Sequence, residues 1–295
     1  MKRGIIYISI LISLCLLVVS GCERDITVDL PQPESKIVVD GYVEPGIPVY
    51  IVLSRNAAYF APINPNTINT AESGAIVTLN DGINTVVMAE TSLVVSGVSI
   101  SGIYIAPMLG VEGRTYSLSI VSAAGEKVSA VTTLPFKVPL DSVWFQIQES
   151  LPDNDSLGYV WATLNDPDKL NNCYRWFAMR VGKDSSFIAP IGSSFEDQFV
   201  NGTTFDFAYN RGSIINSTAD DDINDEAGFY KTGDSIIVKW CAVDRTTYEF
   251  WRDAEIQISN NGSPFASPSS IKSNVTGGLG LFASYSPSYY YLRAR

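Results

Sequence analysis

The chain has 295 residues, 46% of them apolar, with 31 acidic against 20 basic side chains, a formal charge of −11 and no histidine. Without histidine there is no Ser-His-Asp or Cys-His pair, no imidazole base, no HExxH zinc site and no imidazole switch near neutral pH. A length near 300 residues is more than one core usually fills, so two domains are expected.

Lys2 and Arg3 open the chain, and an apolar run from Ile5 to Val19 follows, broken only by Ser9 and Ser13. This is the charged and apolar arrangement of a secretory signal. A membrane-spanning helix needs about 20 apolar residues, more than this run supplies. The run closes on Val19, Ser20, Gly21 and Cys22, which resemble the lipobox of bacterial lipoproteins: an aliphatic residue, two small residues, then cysteine. The resemblance implies that residues 1–21 are a signal peptide and that Cys22 is diacylated on sulfur and becomes the acylated N-terminus. At about 0.8 kcal/mol per buried CH2, two or three acyl chains anchor a protein to a membrane almost permanently. Loss of Lys2 and Arg3 leaves 18 bases against 31 acids, a net charge of −13. That charge repels phosphate backbones, so nucleic acid is not an expected partner. Glu23 and Asp25 after the cysteine resemble the surface-export signal of Bacteroidota lipoproteins; an ordinary polar tether is the other reading.

Residues 22–35 read as that tether, stiffened by Pro31 and Pro33. Residues 36–136 then carry short β-rich runs: Ile37 to Val43, Val49 to Leu53, Ala75 to Leu79, Thr85 to Ala89, Ile103 to Ala106, Tyr116 to Val121 and Lys127 to Thr133. Asp81-Gly82 between two of them predicts a hairpin, because glycine supplies the positive φ that a tight turn needs. About seven strands at this spacing predict an immunoglobulin-like or transthyretin-like sandwich. Pro135 and Pro139 mark its end.

Residues 137–295 are expected to form a second β-rich domain. Ser142 to Gln148, Tyr159 to Asn165, Tyr174 to Val181 and Ser235 to Val243 read as strands, and the third carries bulky groups on both faces, which predicts a central position. One short helix is expected where Thr246 and Glu249 have capping-box spacing and Tyr248, Trp251, Ala254, Glu255 and Ile258 recur every three or four residues. Phe250 and Trp251 read as plugs for one end of a β-core. The fold class is therefore mainly β, a sandwich followed by a second β-rich domain with one helix.

Few residues carry recognisable chemistry, and none is assigned a catalytic role. Cys173 and Cys241 both sit at strands in an oxidising compartment; a disulfide and two buried free thiols are both open. Asp220, Asp222 and Asn224 alternate like the first half of an EF-hand loop, but Asp225 takes the glycine position and Lys231 that of the bidentate glutamate. A solvated acidic loop or a weak calcium site of another kind remains. Asp153 with Asp155, and Asp166 with Asp168, read as turn residues. Paired carboxylates could support glycoside hydrolysis, which needs no histidine, yet no signature of it is present. Trp161, Tyr289, Tyr290 and Tyr291 could stack on sugar rings, or could be ordinary strand aromatics.

Ten motifs occur in order: VVDGYVEPG from Val38, LSR from Leu53, GAIVTLNDG from Gly74, GVEGRTYSLSI from Gly110, TTLP from Thr132, VPLDSV from Val138, FEDQFVNG from Phe195, GDSIIV from Gly233, YEFW from Tyr248 and SNVTGGLGLFASYS from Ser273. Together they resemble a family of Bacteroidota outer-membrane lipoproteins catalogued as a domain of unknown function (four-two-four-nine). The resemblance covers essentially the whole mature chain. It implies an outer-membrane, surface-facing lipoprotein, often encoded beside a TonB-dependent, SusC-like receptor and acting as its accessory. It carries no catalytic residues and no cofactor. Gly277, Gly278 and Gly280 read as positions of close backbone approach or positive φ near the last strand. Within that phylum, Ser142, Ser156 and Ser235, each after an aspartate and before an aliphatic residue, resemble O-glycosylation sites. The expected function is nutrient capture or presentation beside such a receptor, without catalysis. The alternative is a structural or adhesive surface protein that binds host or envelope components.

Overall fold

In the computed structural model, residues 34–56, 70–95, 98–148, 156–212, 228–260 and 270–295 are described. The signal and tether with Cys22, the acidic loop with Asp220, Asp222 and Asn224, and Asp153 and Asp155 lie outside them. Residues 35–295 form one compact unit, and no described helix is long and apolar enough to cross a membrane.

The first strand, β1 (Ile37–Val43), shows the principle on which the fold is built. Ile37, Val39 and Val43 are buried while Val38, Asp40 and Tyr42 face the other way, because successive side chains of a strand point to opposite faces. The strand pairs antiparallel with β2 (Pro48–Arg55) and parallel with the last strand, β17 (Leu279–Arg293). Between these come β3 (Ile76–Asn80), β4 (Thr85–Val87), β5 (Ala89–Val95), β6 (Val98–Leu109), β7 (Thr115–Val121) and β8 (Lys127–Thr133). The later strands are β9 (Ser142–Ile147), β10 (Leu157–Asn165), β11 (Cys173–Arg180), β12 (Ser194–Glu196), β13 (Thr204–Tyr209), β14 (Tyr230–Lys231), β15 (Ser235–Val243) and β16 (Val275–Thr276).

They form three sheets. The largest runs β12-β11-β15-β17-β1-β2-β6-β5; a five-stranded sheet runs β16-β8-β7-β3-β4; a four-stranded sheet has β13 and β14 beside β10, with β9 also on β10. One half of the large sheet packs on the five-stranded sheet around Val39, Ile51, Leu53, Tyr116 and Leu118. The other half packs on the four-stranded sheet around Val160, Leu164, Tyr174, Trp176 and Trp240. Strand β17 belongs to both. Its residues 279–284 pair with β1 and its residues 285–293 pair with β15, so Phe282 enters the first core while Tyr290 and Leu292 pack on the second. The segment 275–293 therefore crosses the expected boundary at residue 136 and continues the first sandwich into the second.

Several local expectations are met with changes whose causes are visible. The Asp81-Gly82 turn forms, with φ +85° at Gly82, and the Asp81 carboxylate accepts the N–H groups of Ile83 at 3.0 Å and Asn84 at 2.7 Å. The strand expected from Thr85 to Ala89 divides at Met88, whose side chain turns into the core while its N–H donates to the Val77 carbonyl at 2.8 Å. The chain thus leaves the five-stranded sheet and enters the large one as β5. The helix, α1 (Arg245–Asn260), starts two residues earlier than the capping-box spacing implies. Its cap is Asp244, not Thr246: Asp244 Oδ1 accepts the Thr247 N–H at 2.9 Å, and Thr246 donates its hydroxyl to Oδ2 at 3.0 Å. The same carboxylate accepts from Thr132 Oγ1 at 2.9 Å and Thr133 N at 3.3 Å, tying the helix start to β8. Gly277 and Gly280 have φ of +81° and +99°; at Gly280 a Cβ would fall 2.0 Å from the Val39 carbonyl oxygen.

Candidate functional site

Because the two smaller sheets cover only one face of the large sheet, its other face is left to α1 and to solvent. Alternation puts an aromatic row there. Tyr50 on β2, Tyr42 on β1 and Tyr285 on β17 stack at 5.3 and 6.0 Å between ring centroids, and Phe177 on β11 meets Tyr285 edge-on at 6.0 Å. Lys239 on β15 lies between them, 5.9 Å from the Phe177 ring centre and 5.8 Å from that of Tyr285, with its ammonium 2.6 Å from Glu44 Oε1. Burial pushes the phenols of Tyr42 and Tyr285 above the usual tyrosine range, so both remain neutral donors.

Helix α1 closes one end of this row. Trp251 donates its indole N–H to Tyr285 Oη at 2.7 Å, and the Arg175 guanidinium lies 3.6 Å from the Trp251 ring centre and 5.0 Å from that of Phe177. Arg175 Nη2 is 3.7 Å from Glu255 Oε1. Glu255 in turn accepts from Ser193 Oγ at 2.9 Å, Ser194 Oγ at 3.1 Å and Gly192 N at 3.1 Å. This buried carboxylate therefore binds three things together: the helix that carries it, the loop before β12 and the arginine of β11. Phe250 and Trp251 pack against the apolar patch under the helix, as expected of plugs for a β-core.

Two cavities flank α1. One of about 290 Å³ is lined by Ile191, Gly192, Ser194, Arg252, Glu255 and Ile256. The other, about 390 Å³, lies at the helix start among Thr132, Asp244, Thr246, Asn274 and Thr276. Among the described residues no three His, Cys, Asp or Glu side chains gather as they would around a metal ion.

The cysteines correct one of the two open readings. Cys173 and Cys241 are both free and buried. The register of β11 on β15 sets Cys173 opposite Val243 and Cys241 opposite Arg175, so the two thiols are offset by two residues along the ladder and are not a facing pair. Burial pushes the Cys173 thiol up to about 12 and raises that of Cys241 as well. Thiolate is the nucleophilic form. Folded protein at pH 8 should therefore resist iodoacetamide at both positions and take two adducts only after denaturation, read by mass spectrometry of the tryptic peptides. Adducts that appear in the denatured protein only after reduction, or a linked peptide, would contradict the free thiols.

The remaining residues singled out from sequence are scattered. Ser142 and Ser235 are exposed and Ser156 is half-buried. Asp166 is buried, accepting from Tyr174 Oη and from Gly202 N at 3.2 Å. Tyr289 and Tyr291 stand on the open face of the large sheet, whereas Tyr290 points inward and bonds both backbone groups of Leu140. Trp161 lies on a different sheet altogether. Sequence reasoning passed over Tyr42, Tyr50, Arg175, Lys239 and Tyr285; the one local signal was a cationic residue at an alternating position in each of two apolar strands.

A family model described as a domain of unknown function (DUF4249) matches residues 23–290. No curated protein matches the chain.

Proposed function

The chain belongs to the DUF4249 family, and from that premise we propose that it is a lipid-anchored outer-membrane protein, surface-facing and non-enzymatic, that captures or presents a nutrient beside a TonB-dependent receptor. The observation that carries the reading is the succession of Lys2, Arg3, the apolar run and Val19-Ser20-Gly21-Cys22. The family match begins at residue 23, immediately after that cysteine, which supports residues 1–21 as an address and not part of the folded body. An acidic body with open aromatic surface supports binding over catalysis.

Two measurements test it. Cys22→Ala should move the protein from the membrane to the soluble fraction, and retention in the membrane would contradict the anchor. Affinity purification from detergent-extracted outer membranes should recover a large β-barrel receptor with the chain; repeated recovery of the chain alone would sink the accessory role.

A further inference from the structure

The chain has five tryptophans, and their fates differ. Trp176 and Trp240 are wholly buried in the second core, and Trp251 packs from α1 onto the apolar patch beneath that helix. Trp144 and Trp161 belong to no core. They sit on the outer face of the four-stranded sheet, directly opposite each other on β9 and β10, with ring centroids 6.1 Å apart and planes within 20°. Neither indole N–H has a hydrogen-bond partner among the described residues, in contrast to those of Trp240 and Trp251. Both indoles are half-buried, and each offers an apolar ring surface with a polar N–H at its edge, the combination that suits a ligand with one apolar face and a polar rim.

The register defines what surrounds the pair. On the far side of Trp161 stands Ala208 of β13, whose small side chain leaves a step beside the indole. Two residues along each strand lies a polar row. Ser142 donates to Thr163 at 2.9 Å and Thr163 to Asp206 Oδ1 at 2.7 Å, and a further two residues along, Thr204 donates to Asn165 Oδ1 at 3.0 Å. These bonds use one oxygen of Asp206 and the carbonyl of Asn165, and among the described residues no side chain of the row engages the second Asp206 oxygen or the Asn165 amide N–H groups. Gln146 and Tyr159, opposed across the same two strands, border the other side. The aromatic and polar rows are about 7 Å apart, two strand residues.

We propose that this face, centred on Trp144 and Trp161, is a binding platform for an uncharged polysaccharide. A sugar ring has an apolar C–H face, which packs on indole, and a rim of hydroxyls, which the carboxylate, amide and hydroxyl groups of the flanking row satisfy. Asp206 and the net charge of −11 oppose phosphate and sulfate, which separates a neutral glycan from a nucleotide or a polyanion. The proposal rests on the capture reading above, for which it names the ligand class.

The test is affinity electrophoresis of the full, detergent-solubilised chain through gels holding glycogen, a mixed-linkage β-glucan, a xylan or a mannan, with dextran sulfate as the anionic control. At least one neutral polysaccharide should retard the chain, dextran sulfate should not, and Trp161→Ala and Trp144→Ala should each weaken binding about tenfold or more. Both side chains lie outside the cores, and an unchanged melting midpoint checks that the variants are folded. Independently of any variant, the same polysaccharide should protect the wild-type fluorescence from acrylamide, because the platform indoles are partly exposed while Trp176 and Trp240 are wholly buried. Retardation by none of the neutral polysaccharides, or retardation unchanged in folded Trp161→Ala, overturns the proposal, as does binding to dextran sulfate alone. None of these outcomes bears on receptor association, which is scored by co-purification with the wild-type chain.

Discussion

Gly280→Ala is expected to prevent the chain from reaching its folded state. Gly280 lies opposite Val39 in the parallel pairing of β17 with β1, at φ +99°. A Cβ there would stand 2.0 Å from the Val39 carbonyl oxygen and 2.9 Å from its carbonyl carbon and nitrogen. All three are backbone atoms of a central strand, so the clash cannot be relieved by a side chain swinging away. It can be relieved only by separating β1 from β17, and β17 is the strand that both sandwiches share. The expected loss exceeds about 4 kcal/mol, the range reached when strain at a special φ combines with core disruption. Gly46→Ala is the control: φ is +76° but nothing lies within 4 Å of the added methyl, so only the left-handed backbone strain, about 1 kcal/mol, is expected. Soluble yield and thermal melting by circular dichroism distinguish the two. A Gly280→Ala protein that melts within a few degrees of the parent would show that the β1–β17 contact is not what joins the halves.

Glu255→Ala should be the most damaging single change on the helix. The substitution removes the acceptor of Ser193, Ser194 and Gly192 and leaves Arg175, 4% exposed, with no carboxylate. Burial already pulls the guanidinium below its usual range, and its Nε and one Nη lack partners. Taking one member from a buried pair costs about 3–5 kcal/mol, because the remaining charge stays out of water. Replacing both is different. Arg175→Met with Glu255→Leu puts apolar groups of similar length beside Trp251 and Phe177, and should recover much of the loss. Urea midpoints of the two singles and the double measure the coupling. A double variant less stable than Glu255→Ala would mean that the serine contacts, not the ion pair, hold the helix.

How far the fold could be read from sequence follows from how local each determinant is. The limits of β1, β8 and β15 match the expected runs residue for residue, because a buried-exposed alternation is written in consecutive side chains. The helix was legible for the same reason, but its cap was not: Asp244 and Thr246 are both good caps, and Asp244 is selected by its bonds to Thr132 and Thr133, more than a hundred residues away. The aromatic row was illegible because Tyr42 and Tyr50 of neighbouring strands meet Phe177 and Tyr285, each more than a hundred residues from the next, only through register. The three consecutive tyrosines 289–291 looked like one cluster and are split by the pleat, since neighbouring strand residues cannot share a face. The cysteines show the same limit, because a two-residue offset in one ladder decides whether thiols face each other.

Composition and periodicity by themselves determined that this is a mainly β chain without imidazole chemistry, and they placed most strands and the helix, since both depend on residues adjacent in the chain. Only the tertiary structure decided that β17 would unite two sandwiches, that Arg175 and Glu255 would meet beneath α1, and that Trp144 and Trp161 would be left outside while Trp176 and Trp240 were enclosed. Those outcomes depend on which strands become neighbours and which sheet face is covered. Both are settled by pairing between distant segments, in which register fixes the neighbours and the two-residue alternation fixes which side chains share a face.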